Sequence, residues 1–95
     1  MIVRQVSLKV PLDRQGDFAA FWKREYREAM LRQPGFIGAR LLKSTESDED
    51  LQLTLEFASE EQAAAWRASP EHKRLSPRLK EYSPVTAVKV FVALE

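Results

Sequence analysis

The chain has 95 residues, 44% hydrophobic and 31% charged, with 15 Lys and Arg against 14 Asp and Glu and a net charge of +1. A domain this short buries only about 60 to 65% of the surface its unfolded chain exposes, so its core is modest and an uncovered apolar sheet face predicts association. The charge balance argues against nucleic acid: Lys23, Arg24, Arg27, Arg32 and Lys73, Arg74, Arg78, Lys80 are interleaved with Glu25, Glu28, Glu71 and Glu81, as on a solvated face.

Ile2 to Val10 alternates, with Ile2, Val6, Leu8 and Val10 on one side and Gln5, Ser7 and Lys9 on the other, which is the period of a half-buried strand. Arg4 interrupts the apolar side. Pro11 ends the strand, and Asp13 is the expected N-cap of a helix running to about Arg32. On that helix Phe18, Phe21, Trp22, Tyr26 and Ala29 recur at three- and four-residue steps and share one face. Glu25 falls inside the same arc, either escaping along its edge or facing a cavity beneath the helix.

Gln33-Pro34-Gly35-Phe36 predicts a type II turn, proline fixing φ at the first central position and glycine accepting a positive φ at the second. Phe36 to Ser44 follows as a strand, with Gly38, Arg40 and Leu42 on one side and Ile37, Ala39 and Leu41 on the other. The acidic run Thr45 to Asp50 has the composition of a hairpin loop. Leu51, Leu53, Leu55 and Phe57 then alternate with Gln52, Thr54 and Glu56 in the cleanest strand pattern of the chain.

Ser59-Glu60-Glu61-Gln62 is a capping-box pattern opening a helix that carries Trp66. Ser69-Pro70 restarts the helix with a cap residue and a proline at its first position, and Ser76-Pro77 predicts a second restart. His72, Leu75, Leu79 and Tyr82 recur at helical steps, which puts the only histidine on the apolar face. Ser83-Pro84 ends the helix. Val85 to Leu94 is apolar on both faces and predicts a central strand covered on both sides.

The order β, α, β, β, α, β over one domain, residues 1–95, predicts an α+β, ferredoxin-like split βαβ antiparallel sheet with both helices on one face. Its other face then meets a second copy, giving a homodimer. Zero cysteines exclude disulfides and thiol chemistry, and a single histidine without cysteines cannot build a typical zinc shell, so no metal is expected. Three glycines, Gly16, Gly35 and Gly38, cannot form a phosphate-cradling loop, and no G-x-S-x-G elbow accompanies the histidine. The strands lack the aromatic and basic pattern of RNA-binding sheets. The N-terminus alternates instead of forming an apolar block, and no run approaches the ~18 apolar residues of a membrane span, so no membrane partner and a cytoplasmic location are expected.

Pro34-Gly35-Phe36 entering the second strand, Leu53 to Phe57 leading into Ser59-Glu60-Glu61, and Ala65 to His72 around Trp66 resemble the antibiotic biosynthesis monooxygenase (ABM) domain family, from about Ile2 to Leu94. The resemblance implies a dimeric α+β barrel, two four-stranded sheets facing each other and a pocket in each subunit between sheet and helices. One branch of the family oxygenates electron-rich phenolic or anthrone-like compounds with O2 and without metal or flavin. Another binds and degrades haem, and is marked by an asparagine on the first strand, the tryptophan corresponding to Trp66, and an iron-ligating histidine ten residues beyond it. Here the tenth residue is Ser76, His72 comes four residues too early, and the chain contains no asparagine. The resemblance therefore favours a cofactor-independent monooxygenase of a small aromatic molecule over a haem degrader, with no cofactor.

In such chemistry the deprotonated substrate supplies the electrons, so the site needs an apolar cavity, a base titrating near neutrality and donors for the anion and reduced oxygen. His72 is the candidate base, since an unperturbed imidazole titrates near ~6.5, and Trp66 is its catalytic companion. Trp22, Tyr26 and Trp66 are expected to wall a flat substrate, and Arg40 or Arg4 to steady an anion. Each has a plainer alternative: Trp66 as a core residue, His72 as a satisfied helix residue near a cap, Arg40 paired with Glu56 across the hairpin. The corresponding alternative for the whole chain is a non-catalytic dimeric binding or regulatory module, its pocket filled by Phe18, Phe21 and Trp66.

Overall fold

The computed structural model describes residues 1–95. Strands β1 (Ile2–Lys9), β2 (Phe36–Lys43), β3 (Asp50–Phe57) and β4 (Thr86–Val92) form one antiparallel sheet in the order β2-β3-β1-β4, the split βαβ arrangement that the element order predicts. β3 sets the frame: Leu51, Leu53, Leu55 and Phe57 are all buried while the residues between them are not. Its register places Leu53 against Val6 and Leu41, and Leu55 against Arg4 and Ala39, so the apolar rows of three strands coincide.

The helices cover that inner face. α1 (Gln15–Phe21), a π-helical turn (Trp22–Tyr26) and α2 (Arg27–Leu31) form one layer, and α3 (Glu60–Ala68) and α4 (Pro70–Tyr82) the other. Phe18, Trp22, Tyr26 and Met30, all buried, stand four residues apart, whereas an α-helix turns in 3.6 and would walk them around its axis. The wider i→i+5 turn, closed by the Arg27 amide on the Trp22 carbonyl, keeps them aimed at the sheet. Asp13 does not cap this layer: it lies inside a 3₁₀ turn (Leu12–Arg14) that starts at Pro11 with no side-chain cap. Seventeen buried residues form one cluster between sheet and helices.

Local signals elsewhere hold. Gly35 sits at φ 80°, and the Phe36 amide donates to the Gln33 carbonyl at 3.3 Å, as the turn requires. The Ser59 hydroxyl accepts from the Gln62 amide at 3.2 Å, although the Gln62 side chain accepts from that hydroxyl instead of reaching back to the Ser59 amide. Ser83, the one buried polar residue, accepts from the Lys9 amide at 2.9 Å and donates to the Val85 carbonyl at 2.8 Å, tying the end of α4 to β1.

Three further expectations are corrected. Pro77 does not restart the helix: α4 runs unbroken through it, and the Lys73 carbonyl that loses its partner lies on the exposed face beside an exposed proline. A bulge between Phe36 and Gly38 turns Ile37 outward, so Phe36 joins Ala39 and Leu41 on the core side. The largest correction concerns β4, which is an edge strand and not a central one. Its apolar residues are uncovered on both sides, Val90 at 50% and Phe91 at 46% exposure, because the helices stop short of it. The outer sheet face is mixed: successive rows read Gly38, Glu56, Val3, Phe91 and then Arg40, Thr54, Gln5, Lys89. No helix is long and apolar enough to cross a membrane.

Candidate functional site

A cavity of about 210 Å³ opens between the inner sheet face and the helices. β1 contributes Arg4 and Val6, β3 contributes Leu55, the π turn Tyr26, α3 Trp66 and Arg67, α4 His72, Ser76, Leu79 and Lys80, and β4 Thr86 and Val88. The widened turn that aims Tyr26 at the sheet therefore also forms the cavity wall. A larger groove of about 610 Å³ runs along the turn end of the β2–β3 hairpin, but its lining, Leu42, Ser44 and Asp50 among others, offers neither an imidazole nor an aromatic ring.

Trp66 and His72 are brought together by the serine between them. The Ser69 hydroxyl donates to the Trp66 carbonyl at 2.7 Å and accepts from the His72 amide at 3.1 Å, so one side chain closes α3 and caps α4. The His72 ring then meets the Trp66 ring edge to face, centroids 5.3 Å apart at 80°, and Trp66 in turn meets Tyr26 at 5.6 Å and 74°. Trp66 is only 1% exposed, so it is both a core residue and the wall behind the imidazole.

Trp22 lies outside the lining, packed behind Tyr26 with ring centroids 5.5 Å apart and the planes tilted by 31°. Arg40 is exposed on the outer sheet face opposite Thr54 and takes no part in the cavity; it is not paired with Glu56, whose own partner on β2 is Gly38. Alternation along β2 fixes this, since Ala39 and Leu41 take the inward positions. Glu25 turns to the edge of its helix, where it pairs with Arg78 and, at 3.9 Å, with Arg74. Sequence reasoning missed Arg67, Ser76 and Lys80. The last two follow His72 at four-residue steps along α4, a helical spacing that marks them.

The electrostatics of the cavity are one-sided. Its lining holds Arg4, Arg67 and Lys80 and no Asp or Glu. Arg67 is neutralised on its outer side by Glu60 at 3.1 Å, whereas no ion pair reaches Arg4. Burial, then the positive charges of Arg4, Arg67 and Lys80, hold His72 below the usual imidazole pKa, with the Arg67 main-chain carbonyl pulling weakly the other way. The imidazole is therefore neutral at pH 7 and free to accept a proton. Burial raises the Tyr26 hydroxyl to about 12, against the opposing pull of Arg4, so it remains a donor. Burial and the neighbouring Arg67 lower the pKa of Arg4.

Haem fits this cavity poorly. The position ten residues beyond Trp66 does line it, but as the hydroxyl of Ser76, which is not among the usual axial ligands of haem iron, and about 210 Å³ lies below the ~300–1,000 Å³ of ordinary ligand pockets.

Among solved structures, a chain similar over its whole length and all of this one is an antibiotic biosynthesis monooxygenase assigned in Nitrosomonas europaea, at 19% identity and a TM-score of 0.83. SnoaB, a cofactor-independent oxygenase of Streptomyces nogalater, is 18% identical over 99% of this chain and 93% of its own, with a TM-score of 0.87. The haem degrader MhuD of Mycobacterium tuberculosis, solved with two haems in its active site, is 19% identical over 100% of this chain and 97% of its own, with a TM-score of 0.82. At these identities the likeness establishes the fold and leaves the chemistry to the site. No curated protein matches the chain by sequence. The family model for antibiotic biosynthesis monooxygenases, however, matches residues 1–78, from β1 through most of α4, and on that match the chain belongs to the antibiotic biosynthesis monooxygenase family.

Proposed function

We propose that the chain is a cofactor-independent monooxygenase that oxygenates a small, planar aromatic substrate in the cavity beneath α3 and α4, acting as a homodimer. The observation that carries this reading is the neutral His72 imidazole held against Trp66 at the wall of an open cavity, within a set of cationic and hydroxyl donors. Phe18 and Phe21 pack against Tyr82, at 5.4 and 5.6 Å, instead of filling the space, which favours a ligand site over a plain scaffold.

In this reading His72 accepts the proton of a phenol or of a ring methylene activated by a carbonyl, and the cationic lining stabilises the resulting anion. The anion passes electrons to O2 and combines with it at the activated carbon. Loss of water from the hydroperoxide leaves a ring carbonyl. One oxygen atom enters the substrate, the other leaves as water with two substrate hydrogens, and all four electrons come from substrate carbon. Trp66 and Tyr26 keep the ring flat against the wall, and the Tyr26 hydroxyl donates to the anion.

The uncovered apolar residues of β4 support the second copy, since a lone edge strand bearing Val88, Val90, Phe91 and Val92 invites association. The test is oxygen consumption with a panel of naphthols, quinols and anthrones by wild type and His72→Ala, beside a spectroscopic titration with haem. Turnover that the substitution abolishes while the dimer persists supports the reading. Turnover that survives it makes the histidine structural, and haem binding with a strong Soret band and ring opening replaces the proposal with haem degradation.

A further inference from the structure

Arg4 is unusual for its position. It stands on the inward side of β1 between Ile2 and Val6, in a row with Leu55, Ala39 and Val90, where every neighbour is apolar. A half-buried guanidinium in such a row ordinarily has a carboxylate partner, because desolvating an unpaired cation is costly. None lies within ion-pair distance, and the cavity that Arg4 lines contains no acid at all. Across the cavity, on the helix side, stands the Tyr26 hydroxyl, on a side chain only 5% exposed whose burial keeps it protonated. Arg4 and the Tyr26 hydroxyl thus face the same space with no carboxylate to meet them. Arg67 and Lys80 add positive charge on the helix side.

We infer that the missing anionic partner of Arg4 belongs to the substrate: the cavity takes a one- or two-ring planar molecule carrying a carboxylate, which Arg4 holds with its planar fork. The inference rests on the reading of this cavity as a substrate site and adds the charge and size of what enters it. A planar guanidinium matches a carboxylate in a two-bond geometry that a neutral amide cannot reproduce. The apolar side chains of Val6, Leu55, Leu79 and Val88 line the rest of the space and suit the ring. With the carboxylate on Arg4 and the ring along Trp66, the His72 imidazole is left for the proton that leaves during reaction. Arg4 is thereby a binding and specificity-determining residue.

The test compares 2-naphthoate with 2-naphthamide, which share a ring and shape and differ in charge, by tryptophan fluorescence and by the NMR shift of the His72 ring. Wild type should bind naphthoate at least about tenfold more tightly than naphthamide, with the preference shrinking as salt screens the charges. Arg4→Gln should bring the two within about twofold by weakening naphthoate alone, and Arg4→Lys should recover part of the difference. Lys80→Gln, at an exposed position, should reduce the preference modestly and guards against misfolding of the Arg4 variants. Equal affinities in wild type, a preference indifferent to Arg4→Gln, or no binding of naphthoate would overturn the inference. Oxygen uptake is read separately: a charge preference without uptake by any phenol sinks the monooxygenase reading and leaves the anion site standing, while uptake on neutral phenols only does the reverse.

Discussion

Gly35→Ala joins the two most specific local features of the chain, the turn before β2 and the cap of α3. At φ 80° a side chain costs roughly 1–2 kcal/mol by crowding the following carbonyl. The added Cβ would also stand 2.0 Å from Gln62 Oε1, so Gln62 has to swing away and give up its contact with the Ser59 hydroxyl at 3.2 Å, a loss of about 0.5–1.5 kcal/mol. The two add to about 1.5–3.5 kcal/mol, or a fall of roughly 6–28 °C in Tm for a domain of this size. Urea unfolding followed by circular dichroism at one fixed protein concentration measures it, since association makes stability concentration-dependent. In a Gln62→Ala background the clash has no target, and the same substitution should cost only the backbone part, about 1–2 kcal/mol. An identical cost in both backgrounds would show that Gln62 yields freely and that the steric half of the argument is wrong. A total below about 0.5 kcal/mol would remove the positive φ itself.

The remaining predictions concern the site and the edge of the sheet. For any substrate found, kcat/KM should rise with pH along a limb centred below 6.5, since His72 must be neutral to accept a proton and its burial, with Arg4, Arg67 and Lys80 facing it, depresses its pKa; Arg4→Gln should move that limb upward, and a limb above 7 would contradict the electrostatics. The same depressed histidine makes the folded state the poorer proton binder, so stability should decline as pH falls below about 6.5 and level off below the folded pKa, a trend absent in His72→Ala. Ser69→Ala should cost about 1 kcal/mol in urea titrations and broaden the His72 ring resonances, because it removes both the cap of α4 and the link to Trp66; a cost with unchanged ring resonances would make the serine a cap alone. Val90→Lys on the exposed edge strand should shift the sedimentation of a dimer toward monomer with little change in helix content, and a chain already monomeric at micromolar concentration would refute the assembly proposed for it.

Much of the architecture was readable from residue order because its signals are local. Alternation in Leu51 to Phe57, the Pro34-Gly35 pair and the Ser59 and Ser69 caps each act within a few residues, where φ, ψ and the nearest amide decide the outcome, and strand or helix follows whatever the neighbours are. The closeness of Trp66 and His72 belongs to the same class, since six residues and one serine hydroxyl hold them. Other properties depend on partners distant along the chain. Whether Arg4 or Arg40 reaches the cavity is set by which side of the sheet the helices cover, and two arginines in half-polar strands look alike until register and burial separate them. The greasy closing strand announced that it would be covered, yet only the strand order places it at the edge, where a single chain has too few helices to reach it. The unbroken passage through Pro77 was likewise settled at a distance, by Leu75 and Leu79 anchoring the same helix on either side of it in the core. Burial is a sum over the whole molecule, and only the folded chain performs that sum.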